Sequence, residues 1–142
     1  MDELLIKYIS IIDRHNKIYL DKKLKKIGLN SSHHFYIINI YKNPGISQDK
    51  LINMTHLNPS NITRALCTLE RLGFIKKISN EDDRRTYNLY LTDKGIDIYP
   101  KIIEIVDELK NILLGDFSEK EKSNISKLIE KICINSLKST KY

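Results

Sequence analysis

Between Asn58 and Gly73 the sequence reads NPSNITRALCTLERLG, and chemistry marks both ends of this stretch. The Asn58 side chain can accept from the free N–H groups of a first helical turn. Pro59 stands at the first helical position, where its missing N–H is not needed. Gly73 tolerates the left-handed conformation that stops a helix. Ile62, Leu66, Leu69 and Leu72 then fall on one face. Just upstream, Ser47 heads a short helix carrying Leu51 and Ile52, and the turn THLN joins the two. Two capped helices across a turn of a few residues make a helix-turn-helix.

The rest of the chain supplies what such a unit packs against. Leu4, Leu5, Tyr8, Ile11, Ile12, Ile18, Tyr19 and Leu20 recur at helical spacing up to about Lys26, and Gly28 stops the run. A second helix is expected from Asn30 or Ser31 to about Tyr41, ended by Asn43-Pro44-Gly45. After Gly73, FIKKIS and TYNLYL flank a charged tip, NEDDRR. Tyr87, Leu89 and Leu91 alternate with Asn88 and Tyr90, the pattern of a half-buried strand. Thr92 caps a helix to about Leu114, with a kink expected at Pro100. Gly115 ends it, and SEKE at Ser118 to Glu121 is a capping box for a last helix with Ile125, Leu128, Ile129, Ile132 and Leu137.

The fold class is therefore mainly α with a small β-hairpin wing. Residues 30–95 form a winged helix-turn-helix, and residues 1–28 and 96–142 form flanking dimerisation helices, all in a single domain over 1–142. The first and last helices carry apolar stripes that little of their own chain can cover. A second subunit is the expected lid, and two-fold pairing the expected symmetry.

Composition narrows the function. The 142 residues carry a net charge of +6, which points toward a polyanion without naming one. Residues 60–90 hold six basic and four acidic side chains, so placement and not bulk charge must decide whether DNA is bound. A winged-helix module that binds protein instead of DNA is the competing reading. Two cysteines, Cys67 and Cys133, without a CxxC, argue against a disulfide framework or a zinc ribbon. No span of about 20 apolar residues exists, so a soluble, cytoplasmic protein without membrane contact is expected. No paired carboxylates, Gly-rich phosphate loop or matched nucleophile and base point to an enzyme, and no cofactor is expected.

The polar face of the helix after Asn58 carries Ser60, Asn61, Thr63, Arg64 and Thr68, with Cys67 and Arg71. Small hydrogen-bonding side chains followed by one arginine suit a helix entering the major groove. Arg64 can reach the O6/N7 edge of a guanine, and Asn61 an adenine edge. At the tip, Arg84 and Arg85 are placed to reach a phosphate and an adjacent minor groove. Asp83 can brace the tip by accepting from hairpin N–H groups or from a guanidinium. Glu81 and Asp82 have no such role, and a solvated turn accounts for them.

The stretch from Gly45 to Gly95, with LERLGFI, then DDRR, then LYLTDKG, resembles the MarR (multiple antibiotic resistance regulator) family of bacterial winged-helix repressors. The resemblance implies a homodimer held by its terminal helices on short palindromic, often A/T-rich, double-stranded operators. It implies that Arg64 contacts bases, that Arg85 enters the minor groove braced by Asp83, and that Arg84 sits on the phosphate side. Many members respond to a small aromatic acid, a metal or an oxidant. The peroxide-sensing members use a first-helix cysteine, which this chain lacks. His15, Tyr19 and Tyr36 mark a candidate pocket for a small aromatic ligand, with Tyr8 and Tyr41 near it, although core edges account for these tyrosines equally well. Adjacent His33 and His34 point to different sides of a helix, and His15 and His56 are not at ligand spacing with them, so no metal site is expected. Cys133 is expected at a core or an interface.

Overall fold

A computed structural model describes residues 2–140. The chain divides into two compact units, Met1–Leu109 and Lys110–Tyr142.

The first unit opens with helix α1 (Asp2–Leu24), which tightens into a 3-10 turn over Lys25–Ile27. Gly28 ends it in the left-handed region at φ 80°, where its N–H donates to the Lys25 carbonyl. Helix α2 (His34–Lys42) starts later than the expected Asn30 or Ser31. The polar groups there close a turn instead. Asn30 Oδ1 accepts from the Ser32 N–H at 2.8 Å, and Asp21 Oδ1 accepts from the Ser31 N–H at 2.7 Å. That bond to Ser31 also holds the Asp21 carboxyl below its usual range.

Strand β1 (Ile46–Ser47) leads into helix α3 (Gln48–Thr55), whose first turn is capped by Ser47 Oγ accepting from the Lys50 N–H at 3.1 Å. Helix α4 (Pro59–Arg71) follows, with Asn58 Oδ1 accepting from the Ser60 N–H at 2.9 Å. Strands β2 (Ile75–Ser79) and β3 (Tyr87–Leu91) pair antiparallel, with Lys77 opposite Leu89. The expected hairpin wing is present as β2 and β3, and Ile46 and Ser47 add a third strand by pairing with Leu89 and Asn88 on the far side of β3. The alternation along β3 is also less clean than its sequence. Leu89 is fully buried, but Tyr87 is exposed and Tyr90 is half-buried, its hydroxyl lying close to Gly45.

The core of this unit gathers Leu24, Ile37, Ile40, Leu51, Ile62, Leu66, Leu69, Ile75, Leu89 and Ile102, all fully buried. It places α4 with its apolar side inward and its polar side to solvent. Helix α5 (Asp93–Leu114) runs unbroken through Pro100, which is exposed. Its start is clasped to the end of α4. The Thr92 N–H donates to the Phe74 carbonyl at 3.0 Å, the Thr92 hydroxyl donates to the Gly73 carbonyl, and Lys94 Nζ donates to the Leu72 carbonyl at 2.8 Å. A Cβ on Gly95 would lie 2.2 Å from the Phe74 carbonyl oxygen, so only glycine allows this approach.

In the second unit, helix α6 (Glu119–Ser139) begins with the capping box read from SEKE. Ser118 Oγ accepts from the Glu121 N–H, and Glu121 Oε1 accepts from the Ser118 N–H. Leu128, Ile129 and Ile132 are exposed on α6, as is Cys133. In the first unit α1 likewise exposes Leu4, Leu5, Tyr8 and Ile12.

The close approach at Gly95 has a direct test. Gly95→Ala should lower unfolding free energy by about 2 kcal/mol or more, because backbone must move. Thermal melting checks it, and an unchanged melting temperature would mean the clasp is loose.

Candidate nucleic-acid interface

The candidate interface begins with the polar side of α4. Ser60, Asn61, Thr63 and Arg64 are exposed, and Thr68 is half-buried. The side chains lean back toward the helix start, as helical side chains do. The Thr63 hydroxyl donates to the Pro59 carbonyl at 2.9 Å, and that of Thr68 to the Arg64 carbonyl at 3.0 Å. Gln48 Nε2 on α3 approaches the Thr63 hydroxyl at 3.5 Å, linking the two helices of the motif. Arg64 Nη2 donates to Asn61 Oδ1. Cys67 is free and exposed on the same helix, with Lys77 Nζ 3.5 Å from its sulfur.

The wing tip is a loop tied by its own side chains. Asn80 Oδ1 accepts from the Asp82 and Asp83 N–H groups at 2.9 and 3.4 Å. The Asn80 N–H donates to the Thr86 carbonyl at 3.1 Å, closing the loop. Asp83 Oδ1 accepts from the Arg85 N–H at 3.0 Å, and the Asp83 carbonyl accepts from both the N–H and the hydroxyl of Thr86. Asp83 thus holds the backbone of Arg85 and not a guanidinium. Arg84 and Arg85 are exposed, and among the described residues neither guanidinium has a hydrogen-bond or ion-pair partner. Glu81 and Asp82 are exposed at the same tip, and Glu81 lines a shallow recess with Ser79, Asn80 and Arg84.

A cleft of about 660 Å³ opens beside α4. Lys17 of α1, Ser31, Ser32 and His33 of the turn before α2, and Tyr36 of α2 form one side, and Asn61, Arg64 and Thr68 the other. Of the three residues expected at a ligand pocket, the cleft takes only Tyr36. Tyr19 instead donates its hydroxyl to Glu108 at 3.3 Å, under Lys23, and His15 is exposed on α1. Tyr8 is exposed, and Tyr41 stacks on Tyr99 with ring centroids 3.6 Å apart. Lys17, His33 and Arg64 were not legible as one group, because they come from three elements brought together only by the fold. His33 and His34 are half-buried with unpartnered Nδ1 atoms, and burial lowers the pKa of both. Among the described residues no three His, Cys, Asp or Glu side chains gather as a metal site, and no helix is long and apolar enough to cross a membrane.

The family model described as MarR family matches residues 29–87, which hold α2, α3, α4, β2 and the wing tip. The HTH-type transcriptional regulator BilQ of Clostridioides difficile (strain CD3) is 31% identical over 125 residues, covering 88% of this chain and 84% of that protein. The chain belongs to the MarR family. It is accordingly a transcriptional regulator and not an enzyme. The uncharacterized HTH-type regulator YybA of Bacillus subtilis (strain 168) is 29% identical over 97% of this chain and 92% of its own length. Among solved structures, a MarR-family regulator from Listeria monocytogenes complexed with 26mer DNA superposes with a TM-score of 0.89 at 26% identity, covering 94% of this chain and 89% of that one. The mainly helical winged fold of this MarR-family chain is thus that of its relatives.

Two predictions come from these geometries. His33 and His34 have folded pKa values below their ordinary value, so the unfolded chain takes up protons first as pH falls. Stability from keeping them neutral is full above the ordinary histidine range and is lost as pH drops through it. Melting temperatures from pH 7.5 to 5.0 should therefore fall less in a His33→Gln/His34→Gln variant than in the wild type. An equal fall would place the pH dependence elsewhere. Second, Asp83→Ala removes the acceptor for the Arg85 N–H and should speed hydrogen exchange at Arg85 and Thr86 without changing exchange in α4. Unchanged exchange at the tip would mean that Asp83 does not order it.

Proposed function

We propose that this chain is a homodimeric repressor that binds a two-fold, palindromic double-stranded operator. The α4 helix would lie in the major groove and the wing tip in the adjacent minor groove, with A/T-rich flanks favoured there because that groove is narrow and strongly negative. The observation that carries this reading is the pairing on one lobe of two exposed donor sets, Asn61 and Arg64 on α4 and Arg84 and Arg85 on the wing. The DNA-bound Listeria relative, whose fold this chain shares, supports it. Ser60, Thr63 and Thr68 would complete the helix contacts, and Arg85, backed by Asp83, would be the minor-groove arginine with Arg84 on phosphate.

The exposed apolar residues of α1 and of α6 support dimerisation, since a second copy would take them out of water. A dimer seated on a promoter blocks polymerase sterically, which is the basis of repression. The cleft beside α4 supports a response to a small anionic aromatic ligand. Lys17, His33 and Arg64 offer positive charge or donors, and Leu57, Ala65 and Tyr36 offer apolar wall. Because Arg64 lines both the cleft and the α4 surface, a carboxylate bound there would draw it from the groove.

Selection of duplexes from random DNA by the purified protein tests the reading. Two half-sites about one helical turn apart are expected, with affinity falling steeply as salt rises. Arg64→Ala should cost about 1–3 kcal/mol and relax preference at one position in each half-site. Equal weakening on all sequences would remove the reading role of Arg64. Absence of any salt-dependent DNA binding would favour a protein-binding module instead. For the ligand, a hydroxybenzoate titration should release operator in the wild type at lower concentration than in Lys17→Ala. Identical release curves would place the ligand site elsewhere.

A further inference from the structure

The polar surface of α4 is internally bonded, and such bonds limit what a surface can recognise. Arg64 Nη2 donates to Asn61 Oδ1 at 2.5 Å, and Arg64 Nε points at the Ser60 carbonyl at 3.4 Å. Residues three apart on a helix are neighbours, so the pair follows from the sequence position of the two side chains. Reading adenine takes both ends of an asparagine amide, its oxygen for the N6 amino group and its nitrogen for N7. Here the arginine takes one lone pair of that oxygen, and the bond turns the amide toward Arg64. The Asn61 amide nitrogen and the remaining Arg64 N–H groups are all donors. The hydroxyl hydrogens of Thr63 and Thr68 are committed to the Pro59 and Arg64 carbonyls.

We propose that Asn61 is a positioning residue for Arg64, not a separate reader of adenine, and that the pair presents a row of donors matched by a guanine in each half-site. The inference rests on the DNA-binding function proposed above. Guanine is the base with two acceptors side by side in the major groove, N7 and O6. Adenine sets its N6 amino donor in the place of O6, so a donor would meet a donor there. Thymine offers one acceptor beside a methyl group. Held by Asn61 before binding, the guanidinium also loses less rotamer freedom when it docks. This changes the role expected of Asn61 from the sequence, where an asparagine on a recognition helix reads most simply as an adenine contact.

The test compares sequences selected from random DNA by the wild type, Asn61→Ala and Asn61→Asp. Asn61 is exposed, so all three should melt alike, and thermal melting verifies that. The wild type should select guanine at one position in each half-site. Asn61→Ala should reduce the preference for guanine over adenine there by roughly five- to tenfold, with binding to unrelated DNA nearly unchanged. Asn61→Asp keeps an acceptor for Arg64, so guanine should still be selected although phosphate repulsion lowers total affinity. Adenine at that position in the wild type, or a guanine preference that survives Asn61→Ala intact, would overturn the proposal. If the wild type selects no duplex at all, the DNA-binding function fails, and the guanine assignment with it. The pairing itself is read separately by NMR of the 15N-labelled Arg64 guanidinium in the free protein. Its rotation should be faster in Asn61→Ala, and an equal rate would overturn the positioning role.

Discussion

The clasp between the end of α4 and the start of α5 is the constraint on which the lobe depends. Carbonyl groups at a helix end have no partner within the helix and must find one elsewhere. Here Leu72, Gly73 and Phe74 give theirs to Lys94, Thr92 and the Thr92 N–H. The Lys94 ammonium also lies over the Phe74 ring, 4.5 Å from its centroid. Strand β2 leaves this point and β3 returns to it, so the end of α4 and the base of the wing are fixed by the same few bonds. The proposed contact of helix and hairpin with one duplex would need their mutual position set in advance, and the missing Cβ of Gly95 makes that closeness possible.

From this anchor the two polar surfaces are built differently. On α4 the hydrophobic face does the positioning. Ile62, Leu66 and Leu69 are fully buried, which turns Asn61 and Arg64 outward by helical geometry alone. At the wing no core is available, and the backbone is held instead by Asn80 and Asp83 accepting from neighbouring N–H groups. The guanidinium groups of Arg84 and Arg85 stand exposed beside this ordered loop. The acids of the tip divide in the same way. Asp83 orders the loop, whereas Glu81 and Asp82 have exposed side chains at a tip that would approach phosphate.

Much of this was legible because it is local. Caps at Ser47, Asn58 and Ser118, stops at Gly28 and Gly73, and the buried stripe of α4 each depend on a few consecutive residues, and the structure shows each. Features that depend on distant partners were not legible. Ile46 and Ser47 are a strand only because Leu89 and Asn88 lie beside them, and nothing in a two-residue segment announces that. Asn30 reads as a helix start, but Asp21, far along α1, takes the Ser31 N–H and delays the helix to His34. The sequence offers His15, Tyr19 and Tyr36 as pocket candidates, whereas the cleft beside α4 gathers Lys17, His33 and Arg64 from three elements and includes only Tyr36 of those candidates. That the polar residues of α4 share a face follows from their spacing, but the Arg64–Asn61 bond is a matter of rotamers.

If α4 and the wing touch one duplex in adjacent grooves, hydroxyl-radical footprinting on a selected operator will register both contacts. At saturating protein, the wild type should protect minor-groove sugars flanking each half-site, and Arg85→Ala should lose only those flanking protections while methylation interference at half-site guanines stays unchanged. Flanking protections that persist in Arg85→Ala, or a simultaneous loss of both signals, would contradict the account.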